Sequence, residues 1–164
     1  MGSGDRLHPI VLDNVEFKVD KTRLLKKIHM NPNSEDGERV LALVEQAEKI
    51  GKPKALYKLS SIESKEDNDI FVDGVKLSSR IMRVNFEDIH RVFPYVVTCG
   101  RELCEWAEGL EDLLENYWAG TIMEMALTAA INYFHTHLED NYNLGKVKSM
   151  NPGSLEDWPI EQQK

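Results

Sequence analysis

A chain of 164 residues is about one domain long, and its 41% hydrophobic and 29% charged residues are ordinary for a globular fold with a substantial core. The formal net charge of −8 argues against nucleic acid as a partner, since such binding neutralises phosphates with Lys and Arg; it suits a partner with a basic docking face. No apolar run is long enough to cross a bilayer, and the opening Met1-Gly2-Ser3-Gly4, a native start or a cloning remnant, lacks the pattern of a secretory leader.

In chain order, the alternation of Val15, Phe17 and Val19 predicts a strand over Val11–Val19, after which Asp20 caps a short helix carrying Leu24, Leu25 and Ile28. Ser34 starts a second helix with Val40, Leu41, Val44 and Ala47 at helical spacing, ended by Gly51 and Pro53. Ala55–Ile62 reads as β. Asp73-Gly74 between Ile70-Phe71-Val72 and Val75-Lys76-Leu77 predicts a hairpin with a type I′ turn. Ser78-Ser79 caps a short helix through Phe86, and Val92–Val97 reads as a strand that Pro94 marks as an edge or bulge.

The remainder reads as helical. One helix begins near Gly100, holds Leu103 and Trp106, and breaks at Gly109. A long one covers Glu111–Asn141, with Leu114, Tyr117, Trp118, Ile122, Met125, Ala126, Ala129 and Tyr133 as its apolar stripe and Gly145 as its left-handed stop. Asn151-Pro152-Gly153-Ser154 is a turn, and Asp157-Trp158-Pro159 reads as the start of a helix that the chain does not complete. These elements predict an α+β fold in a single domain: a largely antiparallel sheet, with the hairpin paired to the Val92–Val97 strand, packed against the long helix.

Few residues carry recognisable chemistry. His135 and His137 point about 200° apart on a helix and are poorly placed to share a metal, so no metal site is expected. Glu35-Asp36 and Glu111-Asp112 read as solvated helix starts. Cys99 and Cys104 lie in one predicted helix, too close for a disulfide framework, and indicate a reducing cytoplasm. Cys99 has either a thiol activated by the helix N-terminus or the ordinary role of a small buried residue, with no base nearby to make it catalytic. The strand-to-helix junction at Thr98 and Gly100 offers free amides to an anionic group, although a threonine there also serves as a simple cap. No nucleophile elbow, phosphate loop or dinucleotide fingerprint occurs, which disfavours a stand-alone enzyme.

The most distinctive stretch is Ser149-Met150-Asn151-Pro152-Gly153-Ser154-Leu155-Glu156-Asp157-Trp158-Pro159-Ile160-Glu161-Gln162-Gln163. It resembles the "PG…WP…Q" segment of corrinoid-system relatives of the vitamin B12-dependent methionine synthase activation domain. Leu12-Asp13-Asn14-Val15-Glu16-Phe17, Pro53-Lys54-Ala55-Leu56-Tyr57, the run from His90 to Gly100, and Tyr117-Trp118-Ala119 are similar to the same family, so the resemblance covers nearly all of residues 1–164. It implies a short activation-like domain, without its C-terminal part, that binds S-adenosylmethionine. Its partners would be a protein carrying cobalamin or another corrinoid, or the methyltransferase itself, with an electron-donor protein assisting reductive remethylation. By the resemblance, Ser149, Asn151, Pro152, Gly153 and Ser154 stand where the family contacts S-adenosylmethionine partly through backbone, joined by Thr98 and Gly100. The family's Arg and Tyr in that segment fall here on Ser149 or Lys148 and on Ser154, which leaves recognition to the backbone. The alternative is a non-catalytic docking module that has lost S-adenosylmethionine binding.

Overall fold

The computed structural model describes residues 8–163, so Met1 to Gly4 lie outside the described residues. The chain divides into two compact units, residues 11–56 with 96–143, and residues 8–10 with 57–95 and 144–163.

In the first of these units the helices begin at side-chain caps. Asp20 accepts from the Arg23 amide at 2.9 Å and starts α1 (Lys21–Lys27); Ser34 Oγ accepts from the Gly37 amide at 3.0 Å and starts α2 (Glu35–Ile50). Gly51 ends α2 as expected, its amide donating to the Ala47 carbonyl at 2.7 Å. A first short helix (Arg101–Glu108) stops at Gly109, and a long one (Leu113–Tyr142) starts where Asp112 accepts from the Leu114 and Glu115 amides. Leu24, Val40, Val44, Leu103, Trp118 and Ile122 are buried together at the centre of this unit's core. Asp36 and Asp112 stand at helix starts with exposed side chains, as expected, and they also share one cation: Arg39 reaches Asp36 at 3.1 Å, Asp112 at 3.2 Å and Glu115 at 2.9 Å, and lies 5.4 Å over the Trp118 ring.

The long helix has 30 residues and is about 45 Å long. Its buried positions include Trp118, Ile122, Ala126, Ala130, Phe134 and Leu138, a spacing of four throughout. Four residues turn a helix by about 40° more than a full circle. Five such steps move the buried line about 200° around the axis, so the two ends bury nearly opposite faces. Two positions of the expected stripe are not buried: Leu114 is 51% and Tyr117 62% exposed. The helix stops at Asn143, which takes the left-handed conformation (φ 44, ψ 47) expected at Gly145; asparagine is the side-chain-bearing residue that best tolerates it.

Strands β1 (Ile10–Leu12), β2 (Lys54–Tyr57) and β7 (Tyr95–Thr98) form a three-stranded sheet in the order β1-β2-β7. The expected Val11–Val19 strand is thus reduced to its start, while Phe17 and Val19 are buried from irregular backbone.

In the other unit β3 (Ser60–Glu66), β4 (Asp69–Val72), β5 (Val75–Ser78) and β6 (Arg91–Val92) form a second sheet, ordered β5-β4-β3-β6 with antiparallel neighbours. The hairpin registers Ile70 with Leu77 and Val72 with Val75, and its turn places Asp73 at φ 52 and Gly74 at φ 77, as a type I′ turn requires. Ser79 caps α3 (Arg80–Asn85), whose Met82 is buried with Ile70, Val72 and Trp158.

The structure corrects two expected strands. Ala55–Ile62 is split into β2 and β3, and Val92–Val97 into β6 and β7, which belong to different sheets. The second division falls around Pro94, which has no amide to donate and whose carbonyl accepts from Lys58 at 3.2 Å. The hairpin accordingly meets β3, and β3 meets β6. The class is the expected one, α+β with antiparallel sheets and a long packed helix. No helix among the described residues is long and apolar enough to cross a membrane.

Candidate functional site

The turn expected at Asn151-Pro152-Gly153-Ser154 forms, and hydrogen bonds close it on itself. The Ser154 hydroxyl accepts from the Asn151 amide at 2.9 Å and donates to the Asn151 carbonyl, which also accepts from the Ser154 amide at 2.9 Å. The Gly153 amide donates to the Trp158 carbonyl at 2.7 Å, beside a one-residue β-bridge between Leu155 and Trp158. Gly153 sits at φ 85, a conformation that glycine alone adopts without strain, and a Cβ there would stand 3.2 Å from the Ile160 Cβ.

Tyr95 anchors this loop from the end of β7. Its hydroxyl donates to Asn151 Oδ1 at 2.7 Å, and the Ser149 hydroxyl lies 2.7 Å away. A phenol has one proton, so with that proton given to Asn151 the Ser149 hydroxyl is the donor to Tyr95. Ser149, Asn151, Pro152, Gly153 and Ser154 are thereby gathered into one ordered, largely exposed loop. Nothing in the sequence marks Tyr95 as a site residue by its own chemistry. Its signal is its place in the His90–Gly100 segment.

Behind the loop the chain does not begin the α-helix expected at Asp157. A single 3-10 turn, Ile160–Gln163, follows, and Asp157 serves α3 instead. One carboxylate oxygen accepts from the Ser79 hydroxyl at 2.7 Å and the other from the Ile81 amide at 3.2 Å, while Ser79 Oγ accepts from Met82 at 3.0 Å. The Ser79 hydroxyl, with the Ile81 and Arg80 amides, holds the Asp157 carboxyl below its ordinary pKa against an opposing desolvation effect. Trp158 is buried, and its Nε1 donates to Gln162 at 3.0 Å.

Thr98 and Gly100 belong to the other compact unit. Thr98 Oγ1 accepts from the Gly100 amide at 3.1 Å, and Gly100, at φ 98, occupies the N-cap of the Arg101–Glu108 helix without a side-chain cap bond. A Cβ on Gly100 would lie 2.7 Å from the Lys52 carbonyl oxygen, so the junction is held by close backbone approach. Cys99 precedes the helix instead of lying within it, and its thiol is pushed up to about 11 by burial and by the neighbouring Cys104 sulfur, opposite to an activated thiol. Among the described residues, no three His, Cys, Asp or Glu side chains stand together as a metal site. A separate open depression of about 180 Å³, lined by Lys18, Arg23, Lys27, Glu124 and Asn132 among others, contains none of the expected site residues.

These bonds decide what kind of group the loop can receive. The Asn151, Gly153 and Ser154 amides are already engaged, and Pro152 has none, so a carboxylate held by those amides would have to displace Ser154 Oγ, the Trp158 carbonyl and the Asn151 carbonyl. Hydroxyl and carbonyl oxygens keep a second lone pair, so what the loop offers is acceptors. Acceptors fit a cationic or N–H-bearing group, and they do not fit a carboxylate. Comparison of the sequence with family models and with curated proteins gives no match.

Proposed function

We propose that the chain is an S-adenosylmethionine-binding module that serves the reductive remethylation of a corrinoid methyltransferase system in the cytoplasm. The observation that carries the reading is the preformed Ser149–Ser154 loop, pinned by Tyr95 and by the Gly153–Trp158 bond, in the same segment that resembles the activation-domain family. Ser149, Asn151 and Ser154 with Tyr95 would hold the cationic part of the ligand through oxygen acceptors. S-adenosylmethionine supplies the methyl group when bound, and the redox chemistry belongs to a corrinoid on a partner protein. The chain's own work is to orient and dock, and it needs no general acid or base. Thr98 and Gly100, in the other compact unit, form a separate candidate contact of their own through the exposed Thr98 side chain.

The engaged amides favour a second reading, a docking module for the corrinoid protein that no longer binds S-adenosylmethionine. Calorimetric titration separates the two. The first reading expects saturable heat from S-adenosylmethionine, weaker binding of S-adenosylhomocysteine, which lacks the positive sulfur, and weaker binding by Tyr95→Phe. A folded chain, and a folded version extended beyond Lys164, that both give no heat would reject the first reading and leave the second.

A further inference from the structure

Two residues five apart on a continuous helix diverge by about 140°, so Cys99 and Cys104 would not meet if both were helical. They do meet. Gly100, at φ 98, breaks the backbone between them, and the Cys99 sulfur turns back over the first turn of the following helix. The two Sγ atoms stand 4.0 Å apart, both as free thiols and both partly accessible. The bend that produces this contact is held by the approach of Gly100 to the Lys52 carbonyl, and Cys99 packs against the buried core. The pairing is therefore a product of the fold, and the Ser149–Ser154 loop makes no use of it.

We propose that Cys99 and Cys104 form a redox modification site, a dithiol that a small-molecule disulfide converts into an intramolecular disulfide. One cysteine, as thiolate, attacks the oxidant's S–S bond, forming a mixed disulfide and releasing one thiol. The other cysteine then attacks the protein sulfur of that mixed disulfide, closing the Cys99–Cys104 bond and releasing the second thiol. The protein loses two hydrogens and two electrons, and the oxidant is reduced to two thiols. Closure brings the sulfurs together by about 2 Å, the scale of side-chain rotation about χ1. The bond would tie the end of β7 to the first turn of the helix and fix the Thr98–Gly100 junction.

The test uses the whole reduced chain with oxidised glutathione, quenched in acid and read by intact mass without reductant, alongside maleimide labelling of free thiols. The chain holds two cysteines, so a monomer lighter by two hydrogens identifies the pair. The expected result is that species, with both labelled thiols lost together, while Cys99→Ser and Cys104→Ser each stop at one glutathione adduct. Three outcomes overturn the proposal: stable adducts on both cysteines of the native chain, disulfide-linked dimers in place of the internal bond, or native thiols that persist where the urea-unfolded chain loses them. The wild-type mass decides the matter even if a serine variant fails to fold.

Discussion

Replacing Gly37 by alanine puts helix propensity and local packing in direct opposition. Gly37 lies in the first turn of α2, and helix propensity alone predicts that alanine there gains about 1 kcal/mol. The structure predicts the reverse. A Cβ on Gly37 would fall 2.0 Å from the Asn31 carbonyl oxygen and 3.0 Å from the Pro32 carbonyl carbon, both backbone atoms that no rotamer change can move. Relief requires displacing the 31–34 turn, which the Ser34-to-Asn31 bonds and the Ser34 cap on Gly37 hold in place. Overpacking of this kind costs about 1–3 kcal/mol. Gly120, exposed on the long helix with nothing within 4 Å of its added Cβ, is the internal control and should gain up to about 1 kcal/mol as alanine. Net of the propensity gain, urea unfolding followed by helical circular dichroism, with a slope near 2 kcal/mol/M, translates these into a midpoint up to about 1 M lower for Gly37→Ala and up to about 0.5 M higher for Gly120→Ala. Midpoints that move in the same direction would refute the reasoning.

Burial along the long helix predicts that Ile122→Ala, at a fully buried position, loses about 2–5 kcal/mol. Leu114→Ala, at a position 51% exposed, should change stability by no more than about 0.5 kcal/mol; equal losses in urea melts would contradict the assignment of faces. Asp157 contributes to acid sensitivity with a definite sign. Its carboxyl is held low in the folded chain, so its contribution is complete above the ordinary carboxylate pKa and is lost as pH falls through the folded value. Wild type should therefore exceed Asp157→Asn in urea midpoint at neutral pH and lose that margin at acid pH; a margin independent of pH would remove the carboxylate from the account.

The local signals that match the structure are ones in which a side chain or turn acts on backbone a few residues away. Asp20 and Ser34 cap as expected, the Ser78-Ser79 pair supplies its cap through Ser79, and the hairpin turns at Asp73-Gly74. What the sequence concealed depends on partners far along the chain. Whether Val92 and Val97 share a sheet is decided by which strands lie beside them, and no periodicity in six residues carries that information. The candidate site divides in the same way. The Asn-Pro-Gly-Ser turn was legible, whereas Tyr95 reaches it across 54 residues of sequence. Asp157 had the residue type and neighbours of a helix start, yet it was taken up by the Ser79 end of α3, 78 residues away.

The spacing of four along Leu113–Tyr142 ties position in the sequence to direction in space. In a helix with a straight seam, removing two whole turns, about seven residues, leaves the remaining side chains nearly in phase. Here the same deletion between Trp118 and Leu138 brings together segments whose inward faces differ by about 80°, because nearly two steps of the screw are lost. Substitutions at a single buried site change one contact, but a change of length changes the azimuth of everything after it. Length variation among natural versions of this chain should therefore gather in the connections before Leu113 and after Asn143, and the interior of the helix should keep a fixed number of residues.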